Sequence, residues 1–260
     1  MKNIMNEIIL KELTEKYKNE YKTNEPYSHV RIKDIFPNEI SNDMYENVLK
    51  NKNTYRWSKL CTTGNDFSMF GESIQRMMNY LVSDEWVEFL SKLTEIKNLH
   101  SDPSWYASGI NYERRGSHLE PHTDFNYRKD LCGSGVSWRR VNILLFLSSE
   151  NWQNDWGGHA ECGKLVKNDY VRVRKYKPQR NSLVVFETFD GSYHGFDLVR
   201  CPKDKGRIVI TAYYYTLEQG SHSRILTTTN YVGWDIERRA NSDYFGRIGT
   251  GWKEIKWKIK

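Results

Sequence analysis

The chain has 260 residues, 39 Lys and Arg against 33 Asp and Glu for a net charge of +6, and a hydrophobic content of 38%. That length suits one compact unit with decorated ends, and a basic excess so mild and dispersed excludes a dedicated nucleic-acid arm. Aromatics reach 14%, with nine Trp and seventeen Tyr. They exclude intrinsic disorder as the main state, because a few large rings can close a core that is short of aliphatics.

No window approaches the roughly 20 apolar residues that span a bilayer. The opening segment has neither an uninterrupted apolar region nor a small-residue cleavage site, so a secretory leader is not expected. Cys61, Cys132, Cys162 and Cys201 are dispersed without a C-x-x-C pair. A disulfide scaffold or cysteine zinc site is therefore not expected, and a reducing cytoplasm is the predicted compartment.

Along the chain, Ile4, Ile8, Ile9, Leu13 and Tyr17 recur at helical spacing in a charged background. His29 to Phe36 alternates and predicts a strand. Asn38 to Lys50 returns to helix, with Ile40, Met44 and Val48 four apart. Ser83 is a candidate N-cap with Asp84 and Glu85 in the first turn, followed by a buried stripe of Trp86, Val87, Leu90 and Leu93. From about Trp105 the period changes to two. Val141 to Leu147, Ser182 to Phe186 and Arg207 to Thr216 are β-branched or aromatic runs between Gly, Asn, Asp and Pro clusters. No helix-length pattern separates them, so the sheets should be antiparallel and close as a barrel or sandwich.

Within this frame, His122 and Asp124 are two residues apart. On a strand they point to one face and can converge on a metal ion. His194, after another strand-like run, can supply a third ligand. Two imidazoles and a carboxylate on one face of an octahedron leave three positions open, the arrangement of non-haem Fe(II) oxygenases. Seven His make such spacing common by chance, and His122 bonded only to its neighbours is the competing reading at this point. The strand Arg207 to Tyr215 places Arg207, Thr211, Tyr213 and Tyr215 on one face. A cation looking into a barrel needs an anionic partner, and an Arg holds a carboxylate bidentately; on an edge strand it would instead face solvent.

Five ordered features carry a resemblance. Tyr112 precedes His122 by ten residues, with Gly116 and Pro121 between them. Val141 to Leu147 is followed by Asn151, Trp152, Trp156, Gly157 and Gly158. Asn181 to Phe186 leads into Tyr193, His194 and Gly195. Arg207 is followed by Thr211. Residues 105–216 thereby resemble the catalytic barrel of the 2-oxoglutarate/Fe(II)-dependent dioxygenases, in the prolyl 4-hydroxylase-like branch. The resemblance implies a mainly β protein, a double-stranded β-helix of the jelly-roll or cupin-like kind with a buttress of N-terminal helices. Residues 1–100 would form that buttress, 101–218 the core, and 219–260 a C-terminal extension packed on it. It further implies Fe(II) on His122, Asp124 and His194. The far carboxylate of 2-oxoglutarate would lie on Arg207 and Thr211 with Tyr112 assisting, and ascorbate would serve as a possible reductant. The activity implied is hydroxylation of an unactivated C–H bond by dioxygen, with release of succinate and CO2. A peptidyl proline, a free amino acid or another small polar metabolite would be the substrate, and neither nucleic acid nor membrane a partner.

The departures from the pattern are informative. Asp124 fills the position left vacant in the related halogenases, which favours hydroxylation over chlorination. Tyr213 stands where the nucleic-acid demethylase branch carries a second Arg, which disfavours DNA or RNA repair. Phe146 replaces a tyrosine found in some relatives. The thirteen residues from His194 to Arg207 predict an extended hairpin over Cys201 to Gly206.

Other residues are weighed against plainer roles. Pro121 argues against a helical metal pair of His118 and His122; His159 is expected to be structural or substrate-side, and His29, His100 and His222 to be structural. Arg114, Arg115, Tyr127, Arg128 and Arg139 would make either a basic mouth or a solvated rim. Trp105, Trp138, Trp152 and Trp156 are expected mostly to pack. The segment from Lys253 to Lys260 reads as an edge strand protected by Lys. A cupin-like module that binds metal or a small acid without turnover is the alternative, and it would have no need of Arg207 or Tyr112.

Overall fold

The computed structural model describes residues 4–52, 59–60, 67–129, 136–221, 226–227 and 229–232; Cys61, Cys132, His222, the 253–260 segment and most of 219–260 lie outside the described residues. Helix α1 (Glu7–Thr23) starts behind Asn6, whose side chain accepts from the Ile8 amide at 2.7 Å. It buries Leu10, Thr14 and Tyr21 and packs Leu13 and Tyr17 partly. Ile8 and Ile9, expected on the buried stripe, are 65% and 44% exposed. Two apolar lines overlap on this helix, and contact with a later helix and strand selects the one through Leu10 and Tyr21.

After strand β1 (His29–Lys33), helix α2 (Asn38–Lys50) buries Met44 and Val48 as its spacing predicts. The two-residue strand β2 (Lys59–Leu60) precedes α3 (Glu72–Leu81), which buries Ile74, Met77, Met78 and Leu81. In α4 (Asp84–Thr94), Ser83 caps the start by accepting from the Trp86 amide at 3.4 Å, and Trp86, Phe89, Leu90 and Leu93 face inward. None of the described helices is long and apolar enough to cross a membrane.

Eleven further strands follow among the described residues: β3 (His100–Ser101), β4 (Gly109–Glu113), β5 (Leu119–Thr123), β6 (Tyr127–Lys129), β7 (Val136–Phe146), β8 (Ala160–Val166), β9 (Asp169–Tyr176), β10 (Ser182–Glu187), β11 (Tyr193–Phe196), β12 (Arg207–Thr216) and β13 (Asn230–Tyr231). They form two antiparallel sheets. The larger runs β1-β10-β7-β12-β4-β2, with β3 on β12 and β6 on β7; the smaller runs β13-β5-β11-β8-β9. Side chains from both sheets meet in one core: Phe146, Val184, Phe186 and Val209 from the larger, Ala160 and Cys162 from the smaller. The other face of the larger sheet buries Val141, Ile143, Ile208, Ile210 and Tyr214 against the helices. This is a mainly β double-stranded β-helix with an α buttress.

Two consequences position the site. Strand β12 alternates, so Val209 enters the barrel while Ile208 and Ile210 face the helices. Strands β11 and β12 belong to different sheets, so the residues between them form a crossover and not the expected hairpin. Val199 in that crossover instead exchanges backbone bonds with Gly116 and Ser117, each at 2.8 Å.

A candidate metal centre and co-substrate site

Strand β5 delivers His122 at its end, and Asp124 follows immediately. Strand β11 runs antiparallel beside β5 with His194 directly opposite His122. Gly195 permits this approach, since a Cβ there would stand 2.5 Å from the Leu119 carbonyl oxygen. The two imidazole centroids are 4.5 Å apart. His122 Nε2 lies 3.6 Å from Asp124 Oδ1, and His194 Nε2 lies 3.6 Å from Asp124 Oδ2.

The tautomers follow from the remaining ring nitrogens. His122 Nδ1 lies 2.8 Å from the Glu120 carbonyl oxygen, and His194 Nδ1 lies 2.9 Å from that of Ser192. A carbonyl only accepts, so each Nδ1 carries a proton and each Nε2 is the nitrogen that faces Asp124. Burial, with His122 adding, pushes His194 down to about 4, which keeps it neutral and able to ligate. Burial alone would raise the Asp124 carboxyl. Its neighbours His194, His122 and Arg139 outweigh that and hold it well below the usual carboxylate range.

Three buried ligand atoms within 4.8 Å of one another make this the one such group among the described residues. The donor set, two imidazoles and a carboxylate, fits Fe(II) with open coordination positions.

Outer contacts fix the carboxylate. Asn142 Nδ2 donates to Asp124 Oδ2 at 3.2 Å, and Arg139 Nη1 lies 3.3 Å from the same oxygen. The Arg139 guanidinium is sandwiched between the Phe125 and Tyr213 rings, 3.5 Å from each centroid. The sequence reading offered Arg139 as part of a basic mouth or a solvated rim; it is fully buried beside Asp124. Of the other residues proposed for that mouth, Arg128 pairs with Asp102 and lies over Tyr106, while Arg114 and Arg115 donate to the Lys52 and Arg200 carbonyls.

At the other end of β12, Arg207 is buried, with Nε donating to the Gly158 carbonyl at 2.7 Å and the Phe196 and Phe146 ring centroids at 4.1 and 5.3 Å. No carboxylate among the described residues lies within ion-pair distance of it. Burial pushes the guanidinium down to about 10, and the more distant Glu113 and Asp197 offset this only in part. Gly157, at φ +62°, holds the adjoining loop where a Cβ would collide with the Leu198 carbonyl. Thr211 stands on the same inward face, its hydroxyl accepting from Asn111 Nδ2 at 3.3 Å.

Tyr112 is not brought to this site. It pairs with Ile208 on β12 and shares its outward face, inside the core beneath the helices. Its neighbour Asn111 occupies the inward position, because strand register and not spacing decides the face. His118 pairs with Glu120 at 3.3 Å. His159 is buried beside Asp197, with Nδ1 3.4 Å from the carboxylate. His29 bonds Tyr27 and Tyr176, and His100 stacks on Tyr215. Trp105 and Trp152 are buried, and Trp156 packs edge-on against Trp152.

Residues 107–215 match the family model of the 2OG-Fe(II) oxygenase superfamily. No curated protein matches the sequence. Among solved structures, the fold is similar to a prolyl 4-hydroxylase from Phytophthora capsici, at 14% identity and TM-score 0.56 over 84% of this chain and 68% of that one. It is also similar to a Trichoplax adhaerens prolyl hydroxylase in complex with a peptide of the hypoxia inducible factor oxygen degradation domain. That match has 19% identity and TM-score 0.54 over 79% of this chain and 90% of the other. Residues 107–215 are thus similar to the 2OG-Fe(II) oxygenase superfamily, and the barrel has the same fold as these prolyl hydroxylases.

Proposed function

We propose that the protein hydroxylates an unactivated C–H bond, with His122, Asp124 and His194 holding Fe(II) and Arg207 and Thr211 receiving the far carboxylate of 2-oxoglutarate. Fe(II), 2-oxoglutarate and dioxygen together supply the oxidation, with succinate and CO2 as by-products and ascorbate as an auxiliary reductant. The chain's own part is orientation. The Glu120 and Ser192 carbonyls set which imidazole nitrogen faces the metal, while Asn142 and Arg139 hold the carboxylate. The buried walls keep water from a cation whose attraction for an anion grows as the medium becomes less polar.

The observation that carries this reading is the pairing of His194 with His122 across two strands, with both Nε2 atoms 3.6 Å from one carboxylate. Arg207, buried without an ion pair among the described residues, favours turnover with a dicarboxylate over the cupin-like module that only binds. A peptidyl proline, a free amino acid or another small polar metabolite fits as substrate; the peptide bound by the Trichoplax relative supports the first of these by form alone. Anaerobic titration with Fe(II) and 2-oxoglutarate should produce the weak visible charge-transfer band of the chelate. Asp124→Ala and Arg207→Ala should each weaken it. A folded protein that shows no band with Fe(II) in excess would leave the barrel a binding module.

A further inference from the structure

Strand β13 lies beyond residues 107–215, yet its backbone is paired to the strand that carries His122. Asn230 stands opposite Thr123 and Tyr231 opposite His122, and the Val232 amide donates to the Pro121 carbonyl at 2.8 Å. The approach is pinned upstream as well. The Thr227 amide donates to Asn126 Oδ1 at 2.8 Å, and the Asn126 amide donates to the Thr227 carbonyl at 3.2 Å. The C-terminal chain thus touches the residues just after Asp124 before it pairs with β5.

Directly opposed residues on antiparallel strands project to the same face. The Tyr231 side chain therefore stands on the face from which His122 presents its imidazole, and the two rings lie 5.0 Å apart at 30°. The row continues to His194, whose ring is 4.5 Å from that of His122. The nearby rings of Phe125 and Tyr213 are taken up by the Arg139 guanidinium. Tyr231 remains 38% exposed. A tyrosine hydroxyl can donate a hydrogen bond. A ring set against His122 and yet more than one-third exposed has the character of a wall and not of a core residue.

We propose that Tyr231 lines the substrate space beside the metal, its ring packing on the substrate and its hydroxyl donating to a carbonyl, carboxylate or hydroxyl acceptor on it. The C-terminal strand is then a specificity element of the enzyme, outside the part of the chain that the superfamily shares. This rests on the oxygenase reading of the triad.

The test is a metal-directed oxidation. Protein loaded with Fe(II) is given a brief pulse of ascorbate and hydrogen peroxide, and its peptides are mapped by mass spectrometry. Tyr231 should gain oxygen several-fold more than Tyr127 or Tyr193, and excess Zn(II) should suppress the mark. In Tyr231→Phe the new ring should be marked in its place. Tyr231→Phe and Tyr231→Ala should both bind Mn(II), followed by the electron paramagnetic resonance of the free ion, as the wild type does. An unmarked Tyr231 in protein that binds Mn(II) overturns the proposal. So does a loss of Mn(II) affinity of about ten-fold in Tyr231→Ala, the size expected when a ligand loses its support, because the ring would then serve only to hold His122. Failure of the wild type to bind Mn(II) would overturn the oxygenase reading instead.

Discussion

Arg139 on β7 and Arg207 on β12 are both buried within the barrel, but their surroundings differ. Arg139 has a carboxylate 3.3 Å away and an aromatic face on either side. Burial works to lower its pKa, and Tyr215, Tyr213 and Asp124 outweigh it, so the shift is upward. Arg207 has one backbone carbonyl and two rings, and burial prevails. The first cation is balanced by the protein itself and holds Asp124. The second has no carboxylate within ion-pair distance among the described residues, which is the state expected of a residue that receives an anion from outside. A buried arginine is thus informative only together with its partner: the same residue type faces a carboxylate at one end of this barrel and a backbone carbonyl and two rings at the other.

The largest effects should separate the two. Arg139→Met leaves Asp124 buried without its cation, a loss of about 3–5 kcal/mol, and metal affinity should fall about 10–100-fold as the ligand loses its brace. Arg207→Met removes a charge that burial disfavours, so thermal stability should hold or rise. Affinity for 2-oxoglutarate should nevertheless drop about 10–100-fold, the equivalent of a charge-assisted bidentate contact. Thermal melts and a 2-oxoglutarate titration of the Mn(II) form measure both. A stable Arg139→Met beside an unfolded Arg207→Met would reverse the assignment. Asn142→Ala should act in the direction of Arg139→Met but weakly, by about 1 kcal/mol for one hydrogen bond, read as a small loss of metal affinity with 2-oxoglutarate binding unaltered.

The triad is legible in the sequence because alternation on a strand is local: His122 and Asp124 two apart must share a face, and a β-run leads directly into His194. Arg207 and Thr211 are legible for the same reason. Tyr112 shows the limit. Its spacing from His122 suggests the site, but its face depends on pairing with Ile208, and that register is set by distant chain. Arg139 fails differently. It sits among Arg128, Arg140 and other polar residues and reads as rim, while its counter-ion and both stacking rings come from elsewhere in the sequence. Tyr231 belongs to a weakly periodic tail in which no local pattern marks a two-residue strand. In helix α1 the error is one of rotation, since Ile8 and Ile9 are as apolar as the residues that pack and only docking decides between the two lines.

His29 sharpens the comparison from a third side, being a titratable group buried by giving up its charge. It lies on β1 with no exposure. Nδ1 is 2.7 Å from the Tyr27 carbonyl oxygen and so carries the proton, leaving Nε2 to accept from the Tyr176 hydroxyl at 2.8 Å. Burial lowers its pKa from 6.5 and Arg174 adds to this, against the Tyr27 carbonyl and Glu20. With the folded value below the unfolded one, the unfolded chain binds more protons as pH falls below 6.5. The stability that neutral His29 contributes is therefore complete above 6.5 and lost as pH descends toward the folded value. His29→Gln cannot titrate, so its urea-unfolding free energy should decline less steeply than that of the wild type below pH 6.5, while Mn(II) binding stays the same. Parallel slopes in the two proteins would mean that His29 tolerates its proton in the fold, and that burial alone, without a carboxylate like the one beside Arg139, does not exclude charge from this barrel.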